Sequence, residues 1–261
     1  MEIAGIGRVL FWEGGSLWMA LVTGVVEAHS HHAIQLSLPV SGSSQFREEG
    51  ADWVAYSGAV ITPGVVHAFR APGKVVATIL FEPESVAGRS VLSRFPASPI
   101  AELGAAEVAA LVAPLSAAYF DGADDAVLIS LSRHAIAAIS DTEVQPPPTD
   151  ARVVRAIADI RRRLDEPITL PGVARGVGLS AGRFRHLFVS ETGVSFRAFV
   201  LWERLNKALA LGFGGTSWTE AAHAANFADS AHLTRTCRRM FGLAPTGARL
   251  ERPRASARLS A

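Results

Sequence analysis

The chain has 261 residues, enough for one large domain or two ordinary ones, and 49% of them are hydrophobic, which argues against disorder. Its net charge of +1 is the sum of an acidic first part and a basic second part. Residues 1–148 contain 7 Lys and Arg against 15 Asp and Glu, whereas residues 149–261 contain 18 against 9. A basic second part favours a polyanionic partner such as nucleic acid, because each phosphate neutralised by Lys or Arg releases condensed counterions.

The single cysteine, Cys237, excludes an intramolecular disulfide and a zinc cluster built from cysteines. The longest apolar stretches are too short and too interrupted to span a bilayer, and the N-terminus lacks the basic and apolar regions of a signal peptide. We therefore expect a cytoplasmic protein with no membrane partner.

Between residues 8 and 81 the sequence comes in short apolar runs separated by Gly, Ser and Pro. This pattern predicts a small antiparallel barrel or double sheet, because the apolar residues do not recur at helical spacing over any adequate length. The predicted strands are residues 17–22, 33–40, 53–56, 59–62 and 75–81.

Two segments of this part carry histidines: H-S-H-H-A-I-Q-L at 29–36 and G-A-V-I-T-P-G-V-V-H at 58–67. Their arrangement resembles the two sequence motifs of the cupin jelly roll, which implies that His29, His31 and His67 converge inside the barrel. Imidazole suits Zn, Fe, Ni or Cu. Metal-binding cupins, however, add a glutamate after the first histidines, and the neutral Gln35 stands in that region here. We therefore assign His29, His31, Gln35 and His67 to effector binding and expect no metal and no other cofactor.

Residues 101–140 are rich in Ala and Leu at helical spacing, which predicts one helix over 102–120 and another over 124–140. These helices pack on the barrel or form the seam of a homodimer, and the sequence leaves both alternatives open. The segment D-T-E-V-Q-P-P-P-T-D at 141–150 then predicts a semi-rigid linker, because three consecutive prolines prevent helix. The predicted domains are a sensing and dimerisation domain at 1–140, the linker at 141–150 and a DNA-binding domain at 151–261.

The basic part contains one pattern written twice, at residues 179–193 and 227–242. A constant offset aligns Ser180 with Asp229 as helix N-caps, and Gly193 with Gly242 as left-handed C-terminal positions. Each copy therefore predicts a short helix with one buried edge and one basic edge, preceded by a turn and another small helix. Such an arrangement is typical of helix-turn-helix units.

The run from residue 168 to 249 resembles the DNA-binding domain of AraC/XylS-type transcription regulators, which has two helix-turn-helix units joined by a linking helix. The motifs that carry the resemblance include G-L-S-A-G-R-F-R-H-L-F, E-R-L-N-K-A-L-A-L and A-A-N-F-A-D-S-A-H-L-T-R. The family's N-terminal sensing domain is commonly a cupin-like barrel. The resemblance thus implies an α+β protein of two domains, with a cupin-like antiparallel β-barrel and appended helices before an all-α double helix-turn-helix domain.

The resemblance also assigns the base-facing positions of the two recognition helices, with Arg185 and Arg235 as candidates for bidentate contacts to guanine. Arg183, Arg197, Arg238 and Arg239 are candidates for phosphate contacts. The positions predicted to face the bases are Gly182, Arg183, Arg185, His186, Ser230, Ala231, His232 and Arg235.

Two residues depart from the family pattern. Gly182 stands where family members often have a larger side chain that reaches the bases, so we expect specificity to depend more on Arg185, His186 and the second helix. Cys237 replaces a common core aromatic residue and is interpreted as a small buried hydrophobe.

These features predict a homodimeric, non-enzymatic transcription regulator that binds double-stranded DNA and a small-molecule effector, with RNA polymerase as a further candidate partner. The alternative is a metal-dependent cupin enzyme, a dioxygenase or isomerase using His29, His31 and His67, fused to a DNA-binding domain.

Overall fold

The computed structural model describes residues 4–96, 98–140 and 147–251. By their contacts these residues form two compact units. The first comprises residues 4–83, 87–140 without 97, and 237–251; the second comprises residues 84–86 and 147–236. The first six residues of the predicted linker lie outside the described residues, and residues 147–150 have neither helix nor strand.

The first unit consists of two β-sheets and three helices. The larger sheet has seven strands in the order β10-β7-β4-β9-β2-β1-β11, and the smaller has four in the order β3-β8-β5-β6. The strands are β1 Gly5–Trp12, β2 Gly15–Val22, β3 Val25–His29, β4 Ile34–Pro39, β5 Ser44–Glu48, β6 Val54–Tyr56, β7 Ala59–Ile61, β8 His67–Arg70, β9 Val75–Phe81, β10 Ile100–Glu102 and β11 Ala248–Leu250. The helices are α1 Val86–Arg94, α2 Ala105–Phe120 and α3 Asp125–Ile139.

The central strands β4 and β9 are buried on both faces, although only β9 is nearly continuous in apolar residues; β4 alternates them with Gln35 and Ser37. Because side chains alternate along a strand, Leu17 and Met19 of β2 join the core formed with α2 and α3. Val22 and Val76 point to the opposite side, where they pack with Phe46 and Phe69 of the smaller sheet. The unit is thus a double sheet with an interior between the sheets and the two helices on its outer face.

All five predicted strands and both predicted helices of this unit are present. The strands between residues 5 and 81 all pair antiparallel, as predicted, and β11 adds a parallel pairing with β1 at one edge. This parallel pair is formed by a segment from the far end of the chain. It also explains why residues 237–251 group with the first unit rather than with the predicted domain at 151–261.

The second unit is helical, as predicted, and most of its helices begin at a residue whose side chain accepts a hydrogen bond from the first turn. Asp150, Thr169, Ser180, Ser195 and Ser217 all cap in this way. The helices are α4 Ala151–Arg162, α5 Leu170–Gly176, α6 Ala181–Thr192, α7 Phe196–Phe213, α8 Trp218–Ala224 and α9 Ser230–Phe241, whose last five residues belong to the first unit.

The core of the second unit contains Phe184, Phe188, Phe196 and Phe199, whose rings meet mostly edge to face. An ion pair between Arg161 of α4 and Glu203 of α7 adds a polar contact beside this core.

No helix among the described residues of the chain combines the length and the apolar character needed to cross a membrane.

Candidate effector cavity and nucleic-acid interface

The three histidines predicted to converge do so at one end of the double sheet. His29 ends β3, His67 begins β8 and lies opposite His29 in the strand pairing, and His31 follows in the loop before β4. β3 therefore carries only His29, the first of the two histidines in His29-Ser30-His31. The ring centroids lie 4.4 Å apart for His29 and His67, 5.4 Å for His31 and His67, and 5.7 Å for His29 and His31.

Each of these imidazoles has its Nδ1 atom at a backbone carbonyl two residues away in sequence. The distances are 2.7 Å from His29 to Glu27, 2.9 Å from His31 to Ala33 and 3.0 Å from His67 to Val65. A carbonyl can only accept, so neutral His29 and His67 place the proton on Nδ1 and carry the lone pair on Nε2, whereas both ring nitrogens of His31 face an acceptor, the Ala33 carbonyl and the Gln35 amide oxygen. Nε2 of His67 is buried with no hydrogen-bond partner among the described residues, and Nε2 of His31 lies 3.1 Å from Oε1 of Gln35.

Burial disfavours the charged form of these side chains. It lowers the pKa of His29 well below the usual value, with smaller contributions from the neighbouring His67 and His31. It also lowers the pKa of His31, and it lowers that of His67 to about 4. The three imidazoles are therefore neutral at physiological pH.

His29 and His31 border an apolar cavity of about 100 Å³ between the sheets. Period-two alternation places Gln35 on the cavity side of β4, with Trp18 and Ala20 on β2 and Thr78 and Leu80 on β9. Of the four predicted effector residues, His29, His31 and Gln35 line this cavity directly. His67 lies behind them, in ring contact with both His29 and His31.

Sequence reasoning missed the apolar half of the cavity wall. Trp18 could have been found from the alternation of β2. Phe241, Leu243 and Ala248 could not, because they lie about 200 residues further along the chain and nothing in the local pattern indicates a pairing with the sheet. The Phe241 ring lies 5.1 Å from that of Trp18, and the amide of Glu27 donates to the carbonyl of Gly242.

The two copies of the repeated pattern fold alike. α6 is capped by Ser180 and α9 by Asp229, each accepting from the amide three residues on, and Gly193 and Gly242 have φ of 74° and 70°. The aligned pairs Phe184 with Leu233 and Phe188 with Cys237 are all fully buried. The aligned His186 and Arg235 are both exposed, so each helix presents the predicted face to solvent.

The predicted base-reading arginines are free to bind. Arg183, Arg185 and Arg235 are exposed, and none of them forms an ion pair with any described residue. By contrast, Arg161 and Arg162 at the end of α4, and Arg163 directly after it, all pair with carboxylates. Arg239 is exposed as well, and its carbonyl accepts from the amide of Ser30 at 3.3 Å.

The remaining positions predicted to face the bases differ in how exposed they are. Gly182 is exposed, and a Cβ added there would meet nothing within 4 Å, so α6 has open space where a reading side chain could stand. His232 is half-buried, with its ring edge-on to Phe227 at 5.1 Å. His186 and Ala231 are exposed and Ser230 is half-buried.

Comparison with known families matches residues 173–251 to a model described as a helix-turn-helix domain. This range contains both recognition helices. Residues 173–251 form an AraC-type helix-turn-helix domain. The resemblance predicted from the sequence is thereby confirmed for the C-terminal region, and a comparison with curated proteins gives no match.

Solved structures with a similar fold include ToxT from Vibrio cholerae. One ToxT structure superposes with a TM-score of 0.57 at 8% identity, covering 89% of this chain and 96% of that chain. ToxT bound to an unsaturated fatty acid gives a TM-score of 0.53 at 9% identity, covering 89% and 92%. ToxT bound to (E)-4-(8-methylnaphthalen-1-yl)but-3-enoic acid gives 0.56 at 9%, covering 89% and 96%. At this identity the likeness shows the fold alone, and it confirms the predicted α+β architecture of an N-terminal β-sheet region with a C-terminal helix-turn-helix region.

Proposed function

We propose that the protein is a sequence-specific DNA-binding transcription regulator controlled by a small-molecule effector bound in the cavity between the sheets. The observation that carries the proposal is the course of α9. Its first half bears Arg235 on an exposed face, and its last residue, Phe241, lines the cavity. A ligand that favours one arrangement of Phe241 over another thereby alters the end of a recognition helix.

The DNA part of the proposal is supported by the repeated helices. α7 has 18 residues and is therefore about 27 Å long at 1.5 Å per residue. This single straight helix connects the two helix-turn-helix units. We propose that Arg185 and Arg235 read bases, that Arg183 and Arg239 contact phosphates, and that His186, Ser230, Ala231 and His232 lie at the groove. Gly182 allows close approach without a base contact.

The test compares two arginines of one helix. Arg235→Ala is expected to weaken binding to the specific site by about 1–3 kcal/mol, close to 5- to 150-fold, and to leave binding to random DNA nearly unchanged. Arg239→Ala is the matched control and should weaken both alike, because a phosphate contact is independent of sequence. Binding is measured by fluorescence anisotropy on a site found by genomic footprinting. Equal losses on both DNAs for Arg235→Ala would remove that residue from the base-reading set.

We extend the proposal to a cytoplasmic homodimer associated through α2 and α3. α2 exposes a row of small side chains, and its buried edge already packs on the sheet, so the exposed row is the face left for a partner. RNA polymerase is a further partner of the regulator if the DNA sites found by genomic footprinting lie next to promoters. The alternative function is a metal-dependent dioxygenase or isomerase. Such an enzyme converts the ligand bound in the cavity to a product, whereas the regulator only binds it.

A further inference from the structure

The cavity between the sheets is lined by a hydrogen-bond acceptor that the protein itself does not use. His29 lines the cavity, and its side chain is buried. Its Nδ1 atom lies 2.7 Å from the carbonyl oxygen of Glu27, so the ring proton is on Nδ1 and the lone pair is on Nε2. No described residue donates a hydrogen bond to that Nε2 atom. Because a buried acceptor without a donor is costly, a ligand that supplies a donor is favoured.

The other two histidines of the cluster do not offer such an acceptor to the cavity. Nε2 of His67 also lacks a donor among the described residues, but His67 does not line the cavity. His31 lines it, but both ring nitrogens of His31 already face acceptor atoms of the protein, on Ala33 and Gln35. His29 is therefore the histidine acceptor that a ligand in the cavity meets.

Gln35 supplies the complementary donor. This residue lies on the cavity side of β4, and its amide oxygen is 3.1 Å from Nε2 of His31. No described residue accepts a hydrogen bond from its amide nitrogen. The cavity wall thus contains an acceptor on His29 and a donor on Gln35. A single hydroxyl group suits both, because it donates one hydrogen bond and accepts others.

The charges of the cavity wall select a neutral ligand. Among the described residues that line the cavity, the one formal charge is on Arg249, which is exposed and pairs with Glu251 at 3.0 Å. Burial, and to a smaller extent the neighbouring histidines, keeps the pKa of His29 well below its usual value, so that its ring is neutral. A carboxylate or an ammonium ion in the cavity would have no buried counter-charge, and its desolvation would be costly.

The volume of the cavity limits the size of the ligand. An apolar cavity of roughly 150 Å³ holds one benzene molecule. At the same degree of filling, the cavity of about 100 Å³ holds about four non-hydrogen atoms. The side chains of Trp18, Ala20, Leu80 and Phe241 give this space an apolar wall, which suits a short hydrocarbon.

We propose that the effector is a small neutral alcohol whose hydroxyl group donates to Nε2 of His29 and accepts from the amide nitrogen of Gln35. Its hydrocarbon part lies against the apolar wall. This assignment rests on the regulatory function proposed above and gives the chemical class of the effector. Isopropanol has the required size and the required hydroxyl group, and it is the probe for the test.

The experiment compares isopropanol with acetone and acetate, which have the same number of non-hydrogen atoms and nearly the same shape. Isopropanol donates and accepts hydrogen bonds, acetone only accepts, and acetate is an anion. Binding of each probe to the full chain is measured by titration with saturation-transfer NMR. We expect acetone to bind at least about fivefold more weakly than isopropanol, because it leaves the acceptor on His29 without a donor. Acetate should bind more weakly still.

A substitution at His29 tests the predicted hydrogen bond. His29→Phe removes the acceptor, so it should lower the affinity for isopropanol to that for acetone and leave the affinity for acetone unchanged. His32→Phe is the matched control, because His32 is an equally buried neighbour that does not line the cavity. This control should keep the preference for isopropanol. Circular dichroism checks that each variant folds, and the comparison of the three probes on the wild-type chain decides the class even where a variant does not.

A second pair of variants tests the location. Ala20→Leu fills the cavity from β2 and should abolish the binding of isopropanol. Ala28→Leu makes the same change at an exposed position of β3 outside the cavity, and it should leave binding intact. Isopropanol binding that survives in folded Ala20→Leu would overturn the assignment to this cavity.

The alcohol class is overturned if wild-type protein binds isopropanol no better than acetone or acetate, or if the folded chain does not bind isopropanol detectably. Binding of the same samples to the DNA site found by genomic footprinting is measured in parallel, without any probe. Failed probe binding with intact specific DNA binding overturns the effector class alone. Loss of specific DNA binding overturns the proposed regulator instead.

Discussion

At Cys237 the buried environment decides how reactive the thiol is. The thiol is fully buried, and burial raises its pKa to about 12. It stands where the first copy of the repeat has Phe188, which is also fully buried. The interpretation as a small core hydrophobe therefore agrees with its position, and the neighbouring arginine does not activate it.

We predict that Cys237 resists alkylation in the native protein. At pH 8 a thiol of pKa about 12 is ionised in roughly one molecule in ten thousand, and the thiolate is the reactive form. Iodoacetamide labelling followed by mass spectrometry should be at least 100-fold slower than in urea-unfolded protein. Labelling at the rate of the unfolded chain would show that α9 opens readily and that the thiol is reactive in the native protein.

At the scale of elements, the caps, the repeat and the helical stripes could all be predicted, because they depend on residues close in sequence. Ser180 and Asp229 cap α6 and α9 as their positions in the repeat require. The pairing of β11 with β1 could not be predicted, since it joins residues more than 200 positions apart and β11 has only three residues. The histidine cluster could be predicted only in part. Two sequence motifs indicated that the histidines converge, but their tautomers depend on backbone carbonyls whose positions no motif predicts.

The two glycines that end the repeated helices offer a matched test of this packing. Gly193 and Gly242 both have left-handed φ, so alanine is strained at either by about 1–2 kcal/mol. At Gly193 an added Cβ meets nothing within 4 Å, whereas at Gly242 it overlaps the carbonyl oxygen of Glu27 and lies 2.7 Å from Nδ1 of His29. We expect Gly242→Ala to lower Tm at least twice as much as Gly193→Ala in calorimetry. Equal shifts would mean that the end of α9 does not pack on β3 in solution.

For the whole molecule, the opposite charges of the two halves correspond to different roles. The excess of basic residues after residue 148 appears on the helical unit as exposed arginines without carboxylate partners on α6 and α9. Arg161 and Arg162 at the end of α4 and the following Arg163 are instead paired with Asp159, Glu166 and Glu203. Net charge predicted a polyanionic partner, but only the structure separates the arginines available to DNA from those used within the fold.

The length of α7 fixes how the two recognition helices are spaced along DNA. Its 18 residues span about 27 Å, which suits two contacts on one face of B-DNA that repeat every 34 Å or so. Inserting 5 base pairs between the two contacted segments turns one of them to the opposite face, so we expect affinity to fall to the level of a single unit. An insertion of 10 base pairs restores the face but exceeds the reach of one rigid helix, and it should not restore binding. Recovery with 10 base pairs, measured by fluorescence anisotropy, would mean that the two contacts come from separate chains of a dimer rather than from the two units of one chain.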